Sequence, residues 1–383
     1  MSDHKAKNKI IDFLSFERVE PMFSGGGRDW SVDVLRCLSC FMVCAIHATR
    51  MSVDNGISDM GSNPWLHNEI YSTIVASPTV LFVMVSGIFF LSPERNVRAS
   101  KIWRKNVIKM AFAYIFWCLI YALHRIYIMD PMPDITFDFF IRQWMVQPTH
   151  LWYIPMIIGL YIISPIIRPI TATGDTKLFR YTVLIFIGGL ILWTIYVWPT
   201  HVEGTYSNII IGKTPMNLLC QYPFWMIYGW IAYTYRPKKA FRYLIYGFGI
   251  IAILIGIYAN YYMWSTTGNT SFTATTQQYS IVSFVKNTAI FYFVVTTFRD
   301  HEFSRFGKFF LRKWSDYTLI IYLVHFLILV IMFQNNFLYG DGVSPWIGVW
   351  LYALIAYVGG GILALLFHLI WDPIKKVLFT KKS

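Results

Sequence analysis

Arg36 and His47 are the residues of this chain best placed, by type and spacing, to do chemistry. Ten residues separate them on an otherwise apolar stretch, so at about 100° per residue they share one stripe of a helix. A rise of about 1.5 Å per residue sets the guanidinium and the imidazole roughly 16 Å apart along that helix. An imidazole titrates near neutral pH and is the commonest general base, so His47 is a candidate to take a proton from a hydroxyl. A guanidinium holds an anion. Asp33 falls near the same stripe and joins the candidate catalytic set, with Asp29 and Cys40 close by. A lone histidine at a helix end is more often a cap at the water boundary, but the charged stripe beneath His47 reverses that preference. An ionisable group at membrane depth costs several kcal/mol unless it is paired or faces a wet cavity, so a polar chamber is expected. Cys40, Cys44 and His47 also have helical spacing, yet three ligands on one straight helix cannot converge on a zinc ion. No metal is expected.

A second cluster is Lys101, Arg104 and Lys105, with Lys109 one turn further on. On an α-helix positions 101, 104, 105 and 108 share a face, so these side chains can converge on a polyanion such as a nucleotide phosphate. The plainer reading is a basic anchor in a cytoplasmic loop. Arg36 begins near the same boundary and is a candidate to join them. His150-Leu-Trp152-Tyr153 opens a helix at the outer side, followed by Pro155 and Pro165, which kink helices. His325 lies deep in a late helix with Tyr322 about one turn away, and Lys286 lies deep in the helix before it. His150, Trp152, Glu69 and His325 are the candidate contacts to a substrate.

The elements that must position these residues are membrane helices. The chain has 383 residues, 56% of them hydrophobic and only 14% charged, which excludes an ordinary soluble protein with about 25% charge. Apolar stretches long enough to cross about 30 Å of hydrocarbon fall near 30–50, 70–91, 107–128, 149–169, 181–199, 217–235, 241–262, 279–298, 316–336 and 346–371. The expected fold is all-α, a polytopic membrane bundle of about ten transmembrane helices with both termini cytoplasmic. Lys and Arg concentrate in every second loop (95–105, 168–180, 236–242, 299–313) and in the tail from 375, as that orientation requires. The net charge of +13 is therefore read as loop charge facing anionic lipid; no basic motif or soluble domain points to nucleic acid.

Residues 1–28 read as a cytoplasmic amino-terminal segment, 29–371 as the transmembrane domain and 372–383 as a basic cytoplasmic tail. The first segment lacks the apolar core and small-residue site of a cleaved signal peptide. Ile10 to Val19 is expected to form a short interfacial helix, and Gly25-Gly26-Gly27 a joint. The five cysteines all lie in apolar segments and read as free thiols. No loop exceeds about 25 residues, too short for a soluble catalytic domain of about 50, so any chemistry must happen within the bundle.

Taken together, these motifs resemble the acyltransferase 3 family of integral membrane acyltransferases. Arg36 and His47 match its R-x10-H signature, Ser86-Gly87 closes a segment similar to that of its second helix, and Lys101-x-x-Arg104 is similar to its R-x-x-R motif with Lys in the first position. His150-Leu-Trp-Tyr153 and Ile321-Tyr-Leu-Val-His325 are similar to two further signatures. The resemblance covers roughly residues 28–371. It implies transfer of an acyl group, most often acetyl, from cytoplasmic acetyl-CoA to a hydroxyl of an extracytoplasmic cell-surface glycan or lipid-linked sugar. Under that reading Arg36, Lys101, Arg104 and Lys105 bind the donor and the protein is a multi-pass plasma or inner membrane enzyme, with a homo-oligomer allowed. Lys101 keeps the charge of the family's Arg but loses its bidentate fork. The alternative from the residues alone is a transporter or flippase for a glycan or small anion, since buried polar residues also mark substrate paths. Internal repeats, which would favour it, are not evident.

Overall fold

The computed structural model describes residues 16–19, 27–54, 64–95, 98–129, 135–146, 148–197, 216–267, 277–338 and 343–379. Helices dominate. In chain order they are α1 (Trp30–Asp54), α2 (Pro64–Val75), α3 (Pro78–Phe90), α4 (Ala99–Ile102), α5 (Ile108–His124), α6 (Phe137–Met145), α7 (Tyr153–Ala172), α8 (Thr176–Val197), α9 (Met216–Leu219), α10 (Tyr222–Thr234), α11 (Lys239–Thr267), α12 (Ile281–Phe298), α13 (Arg305–Gln334) and α14 (Pro345–Phe379). Among the described residues nine helical stretches are long and apolar enough to cross a membrane. The chain is thus an all-α polytopic bundle. The expected span 217–235 is divided at Cys220–Gln221 into α9 and α10. Gln221 takes an extended backbone ahead of α10, whose first turn holds Pro223, a residue suited to starting a helix and unable to continue one.

The expected interfacial helix is corrected over its described part. Phe16–Arg18 forms strand β1, antiparallel to β2 (Tyr235–Pro237), with Glu17 opposite Arg236. Val19 N also donates to Thr234 O at 2.8 Å. The chain leaves α10 extended, so its backbone groups need partners from outside the helix, and an extended segment supplies them. Residues 10–15 and the glycines 25 and 26 lie outside the described residues. At the other end α14 continues to Phe379, past the expected start of the tail.

The chain divides into two units, Met1–Ile88 with Asp175–Ser383, and Phe89–Gly174. In the first, α1 packs against α2, α12, α13 and α14. Its buried Ser39, Ala45 and Ala48 are small enough to let neighbouring helices approach closely. α3 and α10 cross at two glycines: a Cβ on Gly87 would overlap the Met226 carbonyl, and one on Gly229 would overlap the backbone of Met84. Between α2 and α3 the chain breaks at Ser77, with φ of 57°, ahead of Pro78. Lys286 of α12, 3% exposed, caps that break by donating to the carbonyls of Thr73 and Ala76 at 2.9 and 2.8 Å.

In the second unit α4 runs through a π turn, Trp103–Val107, into α5, which packs against α6 and α7. α7 contains Pro165 and Pro169. Its Thr171 donates to the Leu91 carbonyl at 2.5 Å and its Arg168 to that of Ser92 at 2.8 Å, which ties the end of α7 to the segment after α3.

Candidate active site

α1 and α13 meet along a polar seam. Three contacts fix its register: Ser315 Oγ donates to Asp33 Oδ1 at 2.6 Å, Cys40 Sγ to Thr318 O at 3.6 Å, and the rings of His47 and His325 face each other with centroids 5.3 Å apart. Residue numbers rise together along both helices, so the pair runs parallel. Each contact on α1 is seven residues from the last, two turns of helix, which keeps the polar groups on one stripe.

At the start of the seam Asp33 is engaged. Arg28, just ahead of α1, donates to both its oxygens, Nε at 2.5 Å and Nη2 at 2.9 Å, and Nη2 also reaches Asp316 at 3.1 Å. Asp33 is 5% exposed and Arg28 33%. Burial works against the charge of Arg28, but the hydrogen bond and field of Asp33, joined by Asp316, hold its pKa above the ordinary value. The carboxylate proposed as catalytic from sequence therefore anchors the foot of α1. Arg36 lies one turn above, half-buried on the same helix.

At the other end of the seam His325 is fully buried and His47 half-buried. His325 Nδ1 is 2.6 Å from the Tyr322 carbonyl. A carbonyl only accepts, so Nδ1 carries the proton and the basic nitrogen of the neutral ring is Nε2. Phe326 sets its ring edge-on to His47 at 5.5 Å, giving the pair an apolar wall. Two imidazoles at this separation, one with its tautomer set by a backbone carbonyl, can take up and pass a proton.

The remaining sequence candidates fall in the second unit or outside the described side chains. His150 is 1% exposed in the short 3-10 turn Thr149–Trp152, edge-on to Tyr121 with centroids 4.9 Å apart, and Trp152 beside it is 36% exposed. Lys101, Arg104 and Lys105 are all exposed. The π turn interrupts the α-helical register that put them on one face; such turns are rare and recur at functional sites. Glu69 lies on α2, with its side chain outside the described residues. Among the described residues no group of three or more His, Cys, Asp or Glu is arranged to hold a metal ion.

Sequence reasoning missed Arg28 as the partner of Asp33, because Arg28 precedes the helix and i to i+5 is not a helical neighbour spacing. It also missed the role of Ser315, a common residue with no periodic signal. It found His325 but not its pairing with His47, which links the first and ninth of the predicted spans.

Compared with known proteins, the chain matches the profile of a family described as an acyltransferase domain, acyltransferase 3, over residues 29–368. Neither the curated proteins nor the solved structures contain a match.

Proposed function

Because this chain belongs to the acyltransferase 3 family, and is a multi-pass membrane acyltransferase, we propose that it moves an acetyl group from cytoplasmic acetyl-CoA to a hydroxyl of an extracytoplasmic cell-surface glycan or lipid-linked sugar. The observation that carries this reading is the meeting of His47 and His325 on the α1–α13 seam. Family membership also removes the motive for the transporter reading.

In the proposed reaction His47 takes the proton of the acceptor hydroxyl as its oxygen attacks the thioester carbonyl. A new C–O bond forms, the carbonyl oxygen becomes an oxyanion, and the C–S bond then breaks. The departing thiolate recovers the proton from the imidazolium, giving free CoA and the ester. General acid–base help of this kind is worth about 10²–10⁴ in rate. His325, with Nδ1 fixed on the Tyr322 carbonyl, presents Nε2 as a second proton acceptor. This lets the pair share the charge that would otherwise sit on one ring in an apolar surrounding.

Arg36 lies about 16 Å below His47 along α1, comparable with the length of a phosphopantetheine arm. We assign it to the carrier side of the donor, and Lys101, Arg104 and Lys105 to the charge that draws the polyanionic nucleotide. The location expected for such an enzyme is the plasma or inner membrane.

The test is to supply purified protein with radiolabelled acetyl-CoA and to follow thioester loss and label transfer. His47→Ala and Arg36→Ala should each abolish most of the turnover. If both retain wild-type rates, the assignment of this seam as the reacting centre is wrong.

A further inference from the structure

Outside the histidine seam, one cluster in the first unit holds a buried guanidinium with a donor left over. β2 follows α10 directly and turns Arg236 inward, where it is 6% exposed. Its guanidinium carbon lies 5.3 Å from the centre of the Tyr233 ring, and that of Arg299, at the end of α12, lies 5.9 Å from the same ring. Two guanidinium groups thus frame one tyrosine.

The nearby carboxylate is already engaged. Asp29 Oδ2 accepts from the Tyr233 hydroxyl at 2.6 Å, while Oδ1 accepts from Ser31 N at 2.9 Å and Ser31 Oγ at 2.5 Å. Glu17 stands opposite Arg236 in the strand register, but its side chain is exposed, and no ion pair among the described residues includes Arg236. Asp300 is exposed as well. Arg236 uses Nε on the Tyr233 carbonyl at 3.3 Å, and its buried Nη2 has no hydrogen-bond partner. Burial, and next the field of Arg299, hold its pKa down to about 10, so it is still a cation at neutral pH. A buried guanidinium beside another cation, with a donor left over, suits an oxyanion with several acceptor oxygens.

The position narrows the anion. The Asp29–Tyr233 and Arg28–Asp316 bonds bring the start of α1, the end of α10 and the first half of α13 together. That meeting point lies about 27 Å from His47 along α1, further than Arg36 and so on the nucleotide side of the pantetheine arm. It also carries the basic 236–242 segment expected on the cytoplasmic side. We propose that Arg236, backed by Arg299, binds a nucleotide phosphate of the acyl-CoA donor. The phosphate chemistry stands on the cluster; its source rests on the donor reading above.

The experiment measures binding of CoA, pantetheine and inorganic pyrophosphate to the purified full chain, wild type against Arg236→Gln, Arg236→Lys and Arg299→Gln. Intrinsic tryptophan fluorescence and thermal midpoint identify the variants that are folded. Arg236→Gln should weaken CoA about tenfold or more, leave pantetheine unchanged and lose competition by pyrophosphate, with Arg236→Lys in between. In turnover, KM for acetyl-CoA should rise while kcat at saturating donor stays within about twofold. Equal CoA affinity in wild type and in folded Arg236→Gln overturns the proposal, as does an effect confined to binding of phosphatidylglycerol vesicles. If the wild type binds pyrophosphate through Arg236 but does not bind CoA, the phosphate site stands and the donor reading fails.

Discussion

The imidazoles of His47 and His325 meet with centroids 5.3 Å apart and ring planes inclined by 42°. They come from helices near opposite ends of the chain, and the parallel seam between α1 and α13 brings them together. The first prediction follows from their unequal fixing. His325 is held through Nδ1 by the Tyr322 carbonyl, so Asn, which can keep an N–H near that position, should retain more activity than Ala. His47→Ala should lower acyl transfer by about 10²–10⁴, and His47→Ala with His325→Ala by much less than the product of the two, since residues acting as a unit are not additive. Transfer rates of the singles and the double decide this.

Asp33 and Asp316 both contact Arg28, but from different surroundings. Asp33 is 5% exposed and Asp316 49%. Removing the buried partner takes the acceptor from Ser315 and the closer of two carboxylates from Arg28, so Asp33→Ala should cost about 1–3 kcal/mol. Asp316→Ala removes a surface contact and should cost under about 1 kcal/mol. Thermal unfolding in detergent, followed by tryptophan fluorescence, should rank them in that order. A smaller effect at Asp33 than at Asp316 contradicts the anchoring role.

The α3–α10 crossing has no room for a methyl group at Gly87 or Gly229. Overpacking of this kind costs about 1–3 kcal/mol or more, so Gly229→Ala should sharply reduce the yield of folded protein. Gly159→Ala, where a Cβ meets nothing within 4 Å, should be close to neutral. Expression and thermal midpoint of the two variants provide the comparison.

Lys286 holds two carbonyls at the α2–α3 break. Lys286→Met removes both donors from buried acceptors and should destabilise by about 2 kcal/mol, with Lys286→Gln intermediate because one amide can still donate. If Lys286→Met is as stable as wild type, the capping role is wrong.

The sequence by itself determined the class of molecule, the approximate spans and the stripe that carries Arg36 and His47. Those depend on local quantities: hydropathy summed over about 20 residues and an angle of about 100° per residue. Tertiary structure decided the partners. Asp33 reads as a free carboxylate on a stripe until Arg28 and Ser315 are seen against it. His325 reads as a candidate substrate contact, with no link to His47, until α13 is laid parallel to α1. Phe16–Arg18 has the amphipathic look of a short helix, but the extended chain after α10 offers it a strand to pair with. Residue type and spacing fix the face on which a side chain stands. What it meets there depends on which helices pack together, and in a membrane that turns on small residues, glycine crossings and broken helices that hydropathy does not register.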